Sequence, residues 1–92
     1  MNLEKIYNAV ESDEMNSPLI TICDELVKQG YKVFVEGVEI YNDEISNNLL
    51  NDLEEATNEF NIEILKKDLI QKFKLVFTEY HSFKIMNWCE GL

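Results

Sequence analysis

SPLITICDELVKQGYKVFVEGVEIY, residues 17–41, combines the signals of a helix and of a β-hairpin in 25 residues. Ser17 is a favoured helix N-cap, Pro18 suits the first helical position, and Gly30 suits the left-handed residue that follows a helix. The apolar residues between these ends recur at helical spacing, and they are Leu19, Ile20, Ile22, Cys23, Leu26 and Val27. The pattern predicts a helix that begins at Pro18, ends before Gly30 and is buried on one side.

The composition changes after Gly30. YKVFVEGVEIY, residues 31–41, is rich in β-branched and aromatic side chains, which favour strands. Glu36-Gly37 lies where a tight hairpin turn is expected, because glycine tolerates the positive φ of such turns. We therefore predict strands at 31–35 and 38–41.

Two further helices are predicted on either side of this stretch. Residues 2–10 have Asn2 as a cap, and Leu3, Ile6, Tyr7 and Val10 lie on one face. Residues 43–60 form the other helix, which Asn61 closes. Its buried face is expected to contain Ile45, Leu49, Leu50, Leu53, Ala56 and Phe60.

Residues 62–72, IEILKKDLIQK, fit two structures. Ile62, Leu65 and Leu69 are spaced as on a helix, whereas Ile62 and Ile64 fit a short strand that ends at Lys66-Lys67. The helix stop that precedes this segment favours the strand and a turn. Both interpretations stay open from the sequence.

The C-terminal stretch FKLVFTEYHSFKIMNWC, residues 73–89, predicts two strands around a loop at 80–83. This loop sets Glu79 opposite Lys84 and Phe77 opposite Met86, so that unlike charges and large apolar side chains share one face. The face assigned to the core contains Phe73, Leu75, Phe77, Met86 and Trp88. The opposite face contains Val76, Thr78 and Ile85, with Tyr80 and Phe83 at the tip.

Together these elements predict an α+β fold in the order α-α-β-β-α-(β)-β-β. We expect a single domain over 1–92, with a mainly antiparallel sheet and its helices packed on one face. The chain has 92 residues and an apolar fraction of 46%, enough for one core. Its acidic N-terminal segment does not resemble a secretory signal, which predicts a cytoplasmic protein with reduced cysteines.

The sequence lacks the motifs of several common ligand-binding and catalytic sites. The three glycines, at 30, 37 and 91, cannot form a glycine-rich phosphate loop. Cys23, His81 and Cys89 are not at zinc-motif spacing, and residues 42–55 lack the glycine of a calcium loop. A small enzyme using Cys89 or His81 is the weakest alternative, because neither has an evident catalytic neighbour. We predict no enzyme activity, no cofactor and no metal.

Charge is the most unusual property of the sequence. The chain has 18 acidic residues, 8 lysines and no arginine, for a formal net charge of −10. Residues 1–65 contain 15 acids and 3 lysines, whereas residues 66–92 contain 3 acids and 5 lysines. Such a chain repels phosphate backbones and anionic membranes, so we expect neither direct nucleic-acid binding nor membrane binding.

The acids of residues 42–61 define the leading functional hypothesis. On a single helix, Glu44, Asn48, Asp52, Glu55 and Glu59 would form one polar ridge, with Glu36 and Glu39 of the first hairpin beside it. A merely solvated face is the alternative, yet uncompensated like charges at i,i+3 and i,i+4 are unfavourable on a helix. We predict that this face docks on a basic partner protein, such as a nuclease, and inhibits or regulates it.

Two classes of small acidic protein share this size and charge, although no motif connects the chain to them. They are phage-encoded inhibitors of bacterial defence nucleases and immunity proteins of nuclease toxins. A rival hypothesis is a homodimer formed by the C-terminal hairpin, through Val76, Phe83 and Ile85, or by a free strand edge.

Overall fold

The computed structural model describes residues 1–13, 17–79 and 82–91, and these form three helices and a five-stranded antiparallel sheet. The α+β prediction is confirmed. The order along the sheet is β2-β1-β3-β4-β5. The elements are α1 (Leu3–Ser12), α2 (Pro18–Lys28), β1 (Lys32–Val35), β2 (Val38–Ile40), α3 (Glu44–Ala56), β3 (Glu59–Lys66), β4 (Leu69–Glu79) and β5 (Ser82–Gly91).

All three helices begin at a side-chain cap. Asn2 accepts a hydrogen bond from the Lys5 N–H (3.1 Å), as expected for α1. Ser17 accepts from the Ile20 N–H (3.4 Å), and Pro18 is the first residue of α2, as predicted. Asp43 accepts from the Ser46 N–H (2.8 Å) in α3. Each cap satisfies one of the N–H groups that a helix start leaves without an intrahelical partner.

The first hairpin also forms as predicted. Val35 pairs with Val38, so only two residues connect the strands. Glu36 has φ +50° and Gly37 has φ +81°. Two successive positive φ values define the turn whose twist matches that of paired strands.

The third helix ends earlier than predicted, at Ala56 rather than Phe60. Phe60 lies four residues after Ala56, which suits a helix, but it also lies two residues before Ile62, which suits a strand. The second pattern prevails, because Phe60, Ile62 and Ile64 are all buried on the same face of β3. Asn61 therefore does not close the helix. The open question over 62–72 is settled as strand, turn and strand, and β4 begins at Leu69.

The predicted register of the C-terminal hairpin is wrong. Phe77 pairs with Phe83 rather than Met86, Leu75 pairs with Ile85, and Glu79 pairs with Ser82. Tyr80 and His81 lie outside the described residues, whereas Phe83, expected at the tip, belongs to β5.

Aromatic packing and a bulge account for this register. Phe83 is only 8% exposed, and its ring stacks on that of Tyr7 in α1 with centroids 4.8 Å apart. Near Asn87, which has φ +56°, the pairing shifts by one residue. Such a bulge changes which face the later side chains occupy. Met86 pairs with Lys74 before the bulge and is 47% exposed because of the register, whereas Trp88, after the bulge, stacks on Phe73 and is 39% exposed.

The helices pack on one face of the sheet. Buried side chains from every helix and strand form one apolar cluster, within which Leu19, Leu26, Val33, Ile64 and Leu75 are fully buried. Along each strand, the residues that alternate with these buried ones point to the other face of the sheet. We call this second face the open face, because no helix among the described residues covers it. No helix in the described part of the chain has the length and apolar character needed to cross a membrane.

Candidate functional site

The outer side of α3 displays a row of polar residues, Glu44, Asn48, Asp52 and Glu55, which we call the α3 ridge. All four are exposed, and their spacings of four, four and three residues place them on one side of the helix. Ser46 and Leu50 on the opposite side are buried in the core. The three acids of the ridge, Glu44, Asp52 and Glu55, lie on one side of α3, as the helical spacing predicts.

The ridge carboxylates are not neutralised locally. None of the three lies within 4.0 Å of an ammonium group in the described part of the chain. The sequence contains no lysine between Lys32 and Lys66, so α3 and the segments beside it provide no positive side chain. The negative potential of these groups therefore extends into solvent, within the limit set by the Debye length.

Two large exposed side chains lie near the start of α3. Ile45, which the sequence wrongly assigned to the buried face of the helix, is 81% exposed. Tyr41, just before α3, is 58% exposed, and the carboxylate of Glu39 raises the pKa of its hydroxyl. A single exposed apolar residue is ordinary on a protein surface. Ile45, on the same helix as the row of acids, makes this a mixed surface, which is the composition of many protein interfaces.

The three other predicted acidic residues do not belong to this surface. Glu59 lies on β3 because α3 ends before it, and its carboxylate pairs with Lys74 Nζ at 3.8 Å. Glu36 lies in the first hairpin turn, where its carboxylate accepts hydrogen bonds from the N–H (2.7 Å) and side-chain amide (3.3 Å) of Asn61. Glu39 pairs with Phe34 on the open face. The sheet therefore separates the six acids into two groups.

The residues predicted for self-association are also divided. Val76 lies on the open face, opposite Lys84. Phe83 is buried, and Ile85 packs against the core from the helix-facing side. The hairpin surface expected from the sequence does not exist as one face, because the actual register turns Phe83 and Ile85 inward.

The open face extends across all five strands, beyond the part around Val76 that the sequence predicted. A shallow depression of about 240 Å³ lies on it. Its lining includes Phe34, Asn61, Glu63, Lys72, Lys74 and Asn87. The alternation of residues along β3 and β4 was the available signal, since Glu63 and Lys72 fall between buried positions of their strands.

The cysteines differ in their surroundings. Burial raises the pKa of the Cys23 thiol far above its ordinary value, and the negative charges of Asp24 and Glu54 raise it further. A thiol in this state is an inert apolar group. Cys89 is exposed on β5, and His81 lies outside the described residues. Within the described ranges no three His, Cys, Asp or Glu side chains are arranged to hold a metal ion.

A second, polar cleft of about 220 Å³ lies between α1 and α2. Thr21 donates a hydrogen bond to Asp13 (3.2 Å) at this cleft. Burial raises the pKa of Asp24, the positive charge of Lys28 opposes this, and Asp13 adds to it. The lining offers carboxylates and hydroxyls but no thiol or imidazole among the described residues.

No protein-family model, curated protein or solved structure matches this chain. The described residues provide two extended surfaces on which a function can be based. They are the α3 ridge with the exposed Ile45 beside it, and the open face of the sheet.

Proposed function

We propose that this protein is a non-enzymatic binding protein that docks the α3 ridge on a basic surface of a partner protein and inhibits or regulates it. The observation that carries the proposal is the ridge itself: three exposed carboxylates in a row, without a neighbouring ammonium group in the described residues. Charges of one sign on a single face steer a partner of the opposite sign and raise the association rate.

The exposed apolar side chain next to the ridge supplies binding affinity that exposed charges alone do not. Exposed charged pairs contribute little to affinity, since water and salt screen them. Affinity at protein interfaces is concentrated in a few large side chains that become buried. Ile45 is such a side chain, and it is 81% exposed in the free protein.

The ridge is held in a fixed shape. Leu50 is 1% exposed and anchors the middle of α3 in the core. At the start of the helix, Ser46 Oγ accepts a hydrogen bond from the Tyr41 N–H (2.9 Å), which fixes Tyr41 relative to α3. A surface that is ordered before binding loses less conformational entropy when the complex forms.

A nuclease or another nucleic-acid-binding protein is the class of partner to test first. Side chains one turn apart on a helix are separated by about 5–6 Å, which is close to the spacing of phosphates along a strand. A row of carboxylates can therefore occupy a groove that normally binds a phosphate backbone. The protein has the small size and acidic charge of phage inhibitors of defence nucleases and of nuclease-immunity proteins, and a cytoplasmic location fits these roles.

The proposal is tested by affinity capture from a lysate at low and high salt, with captured proteins identified by mass spectrometry. The double variant Asp52→Lys, Glu55→Lys should lose a basic protein that the unmodified protein captures at low salt. The matched control is Glu4→Lys, Glu11→Lys, which makes the same change of net charge at exposed positions of α1. The control should retain the partner.

Ile45→Ser separates the apolar contribution from the electrostatic one. With a purified partner, it should accelerate dissociation and leave the salt dependence of association unchanged, because it removes buried area and no charge. If the ridge variant captures the same basic proteins as the unmodified chain at both salt concentrations, the ridge is a solvated helix face and the proposal is wrong.

A further inference from the structure

The open face carries its charges in an ordered pattern. β3 displays Glu59 and Glu63 on this face, and the neighbouring β4 displays Lys72 and Lys74. Glu63 pairs directly with Lys72 across the two strands. The acidic and basic positions thus occupy adjacent strands at the middle of the sheet, and Lys84 on β5 extends the basic side.

Apolar side chains lie among these charges. Leu65 on β3 pairs with Ile70 on β4, and both are half-buried. Phe34 on β1, Val76 on β4 and Met86 on β5 belong to the same face, and Met86 is 47% exposed. A sheet face that is merely solvated is typically polar at most of its positions. This one is mixed at its centre.

We propose that the open face is a homodimer interface, in which two copies pack sheet against sheet about a two-fold axis that runs parallel to the strands, between β3 and β4. This axis places β3 of one copy over β4 of the second copy. Glu63 then faces Lys72 of the second copy, and Leu65 faces Ile70 of the second copy. Each contact occurs twice, as an isologous interface requires.

The charge pattern distinguishes this arrangement from the alternative. A two-fold axis that lies in the interface but crosses the strands would place β3 over β3 and β4 over β4. Glutamates would then face glutamates and lysines would face lysines, and opposed like charges are costly in an interface. Only the axis along the strands brings unlike charges together in both halves of the interface.

The available area is sufficient for a modest dimer. Five strands spaced about 4.8 Å apart, with residues rising about 3.3 Å along the longer strands, give a face of roughly 600 Å² per copy. Two such faces would bury about 1,200 Å² together, which is at the lower end of specific interfaces. The 34 × 26 Å extents of the molecule accommodate a face of this size.

The net charge of −10 does not prevent this contact. Among the described residues, the open face has four lysines, Lys32, Lys72, Lys74 and Lys84, and three glutamates, Glu39, Glu59 and Glu63, so their charges nearly cancel. The helices pack on the other side of the sheet, and α3 with its ridge belongs to that layer. A dimer of this kind would leave both ridges accessible, so the inference does not depend on the function proposed for them.

The test is sedimentation equilibrium of the purified full chain over about a hundredfold range of concentration, which shifts a reversible dimer by mass action. The unmodified protein should approach twice the 10.8 kDa mass of one chain at high concentration. Glu63→Lys and Lys72→Glu should each weaken the dimer at least roughly tenfold, because each creates two like-charge contacts. Circular dichroism confirms that each variant is folded.

Mixing the two variants decides whether the contacts are intermolecular. When Glu63→Lys meets Lys72→Glu, unlike charges again face each other at both positions, so an equimolar mixture should dimerise although neither variant does alone. Asp52→Lys, on the α3 ridge, is the matched charge reversal outside the interface and should leave the dimer intact. If a charge variant fails to fold, Met86→Lys replaces it, and it should also shift the protein to the monomer.

Three results would overturn the proposal. The first is a monomeric mass at every concentration of the unmodified protein. The second is a dimer that tolerates the charge variants and Met86→Lys, which would assign self-association to another surface such as the edge of β5. The third is a mixture of the two variants that stays monomeric, which would show that Glu63 and Lys72 are not opposed between copies.

Discussion

Glu54 of α3 accepts a hydrogen bond from the backbone N–H of Leu19, the second residue of α2, across 35 positions of sequence, with an N···Oε1 distance of 3.0 Å. Ser17 caps the same helix end through the Ile20 N–H. The start of a helix has unpaired N–H groups and a positive dipole end, and both favour a carboxylate. One acid of the acidic helix thus connects two helices and does not belong to the ridge.

Glu54→Ala should therefore destabilise the protein by about 1–2 kcal/mol, the usual cost of losing a helix cap. Urea denaturation at neutral pH measures this change. Glu55→Ala is the matched control, because the neighbouring carboxylate is exposed, and exposed substitutions usually stay within about 0.5 kcal/mol. Equal losses for the two variants would contradict the structural role of Glu54.

Features that depend on interactions between residues close in sequence could be predicted from the sequence. Asn2, Ser17 and the Glu36-Gly37 turn act through groups within a few residues, and all are found where their residue types predict. The grouping of Glu44, Asp52 and Glu55 also follows from the helical repeat alone. The hydrogen bond from Leu19 to Glu54 could not be predicted in this way, because it depends on how two helices pack.

Features decided by distant contacts were not predictable. Phe60 fits the helical and the strand period equally well, and its burial in the sheet decides between them. The local sequence predicts a loop tip at Phe83, because its stacking partner, Tyr7, lies near the other end of the chain. The actual helix end places Glu59 outside the ridge, and the actual register places Phe83 outside the predicted contact surface. The candidate sites changed because the register and the end of a helix changed.

The two cysteines should react at very different rates. Cys89 is exposed, whereas Cys23 is fully buried and burial raises the pKa of its thiol. Since the thiolate is the reactive form, we expect Ellman's reagent to modify Cys89 promptly in the native protein, at a concentration low enough to keep the chain monomeric, and Cys23 only after denaturation. Cys89→Ser should abolish the fast reaction, and Cys23→Ser should leave it unchanged. Two fast thiols in the native protein would contradict the placement of α2 in the core.

Asp24 should make stability depend on pH. Burial raises the pKa of this carboxyl in the folded state, so the folded protein holds the proton more tightly than the unfolded chain. Ionised Asp24 therefore lowers the stability of the fold at neutral pH. This loss of stability shrinks as the pH falls through the raised pKa of the folded state, and it is gone below the ordinary pKa of 3.8. Asp24→Asn should be more stable than the unmodified protein at neutral pH and equally stable at about pH 2.5.

Thermal denaturation of both proteins across this pH range measures the difference. Asp52→Asn removes the same formal charge at an exposed position and controls for the change in net charge. If Asp24→Asn were less stable than the unmodified protein at neutral pH, the carboxylate would have a favourable partner that outweighs its burial, and the prediction would be wrong.

Asn87 determines how the end of β5 meets β4. Its φ of +56° accompanies the shift in pairing that turns Trp88 toward Phe73, and these rings stack with centroids 5.3 Å apart. A β-branched residue is strongly disfavoured at positive φ, so Asn87→Val should cost about 1–2 kcal/mol, whereas Asn87→Gly should be nearly neutral. Denaturant unfolding at a protein concentration low enough to keep the chain monomeric measures both, with Trp88 fluorescence as the probe. Equal stability of the valine and glycine variants would show that the strand can form without the bulge.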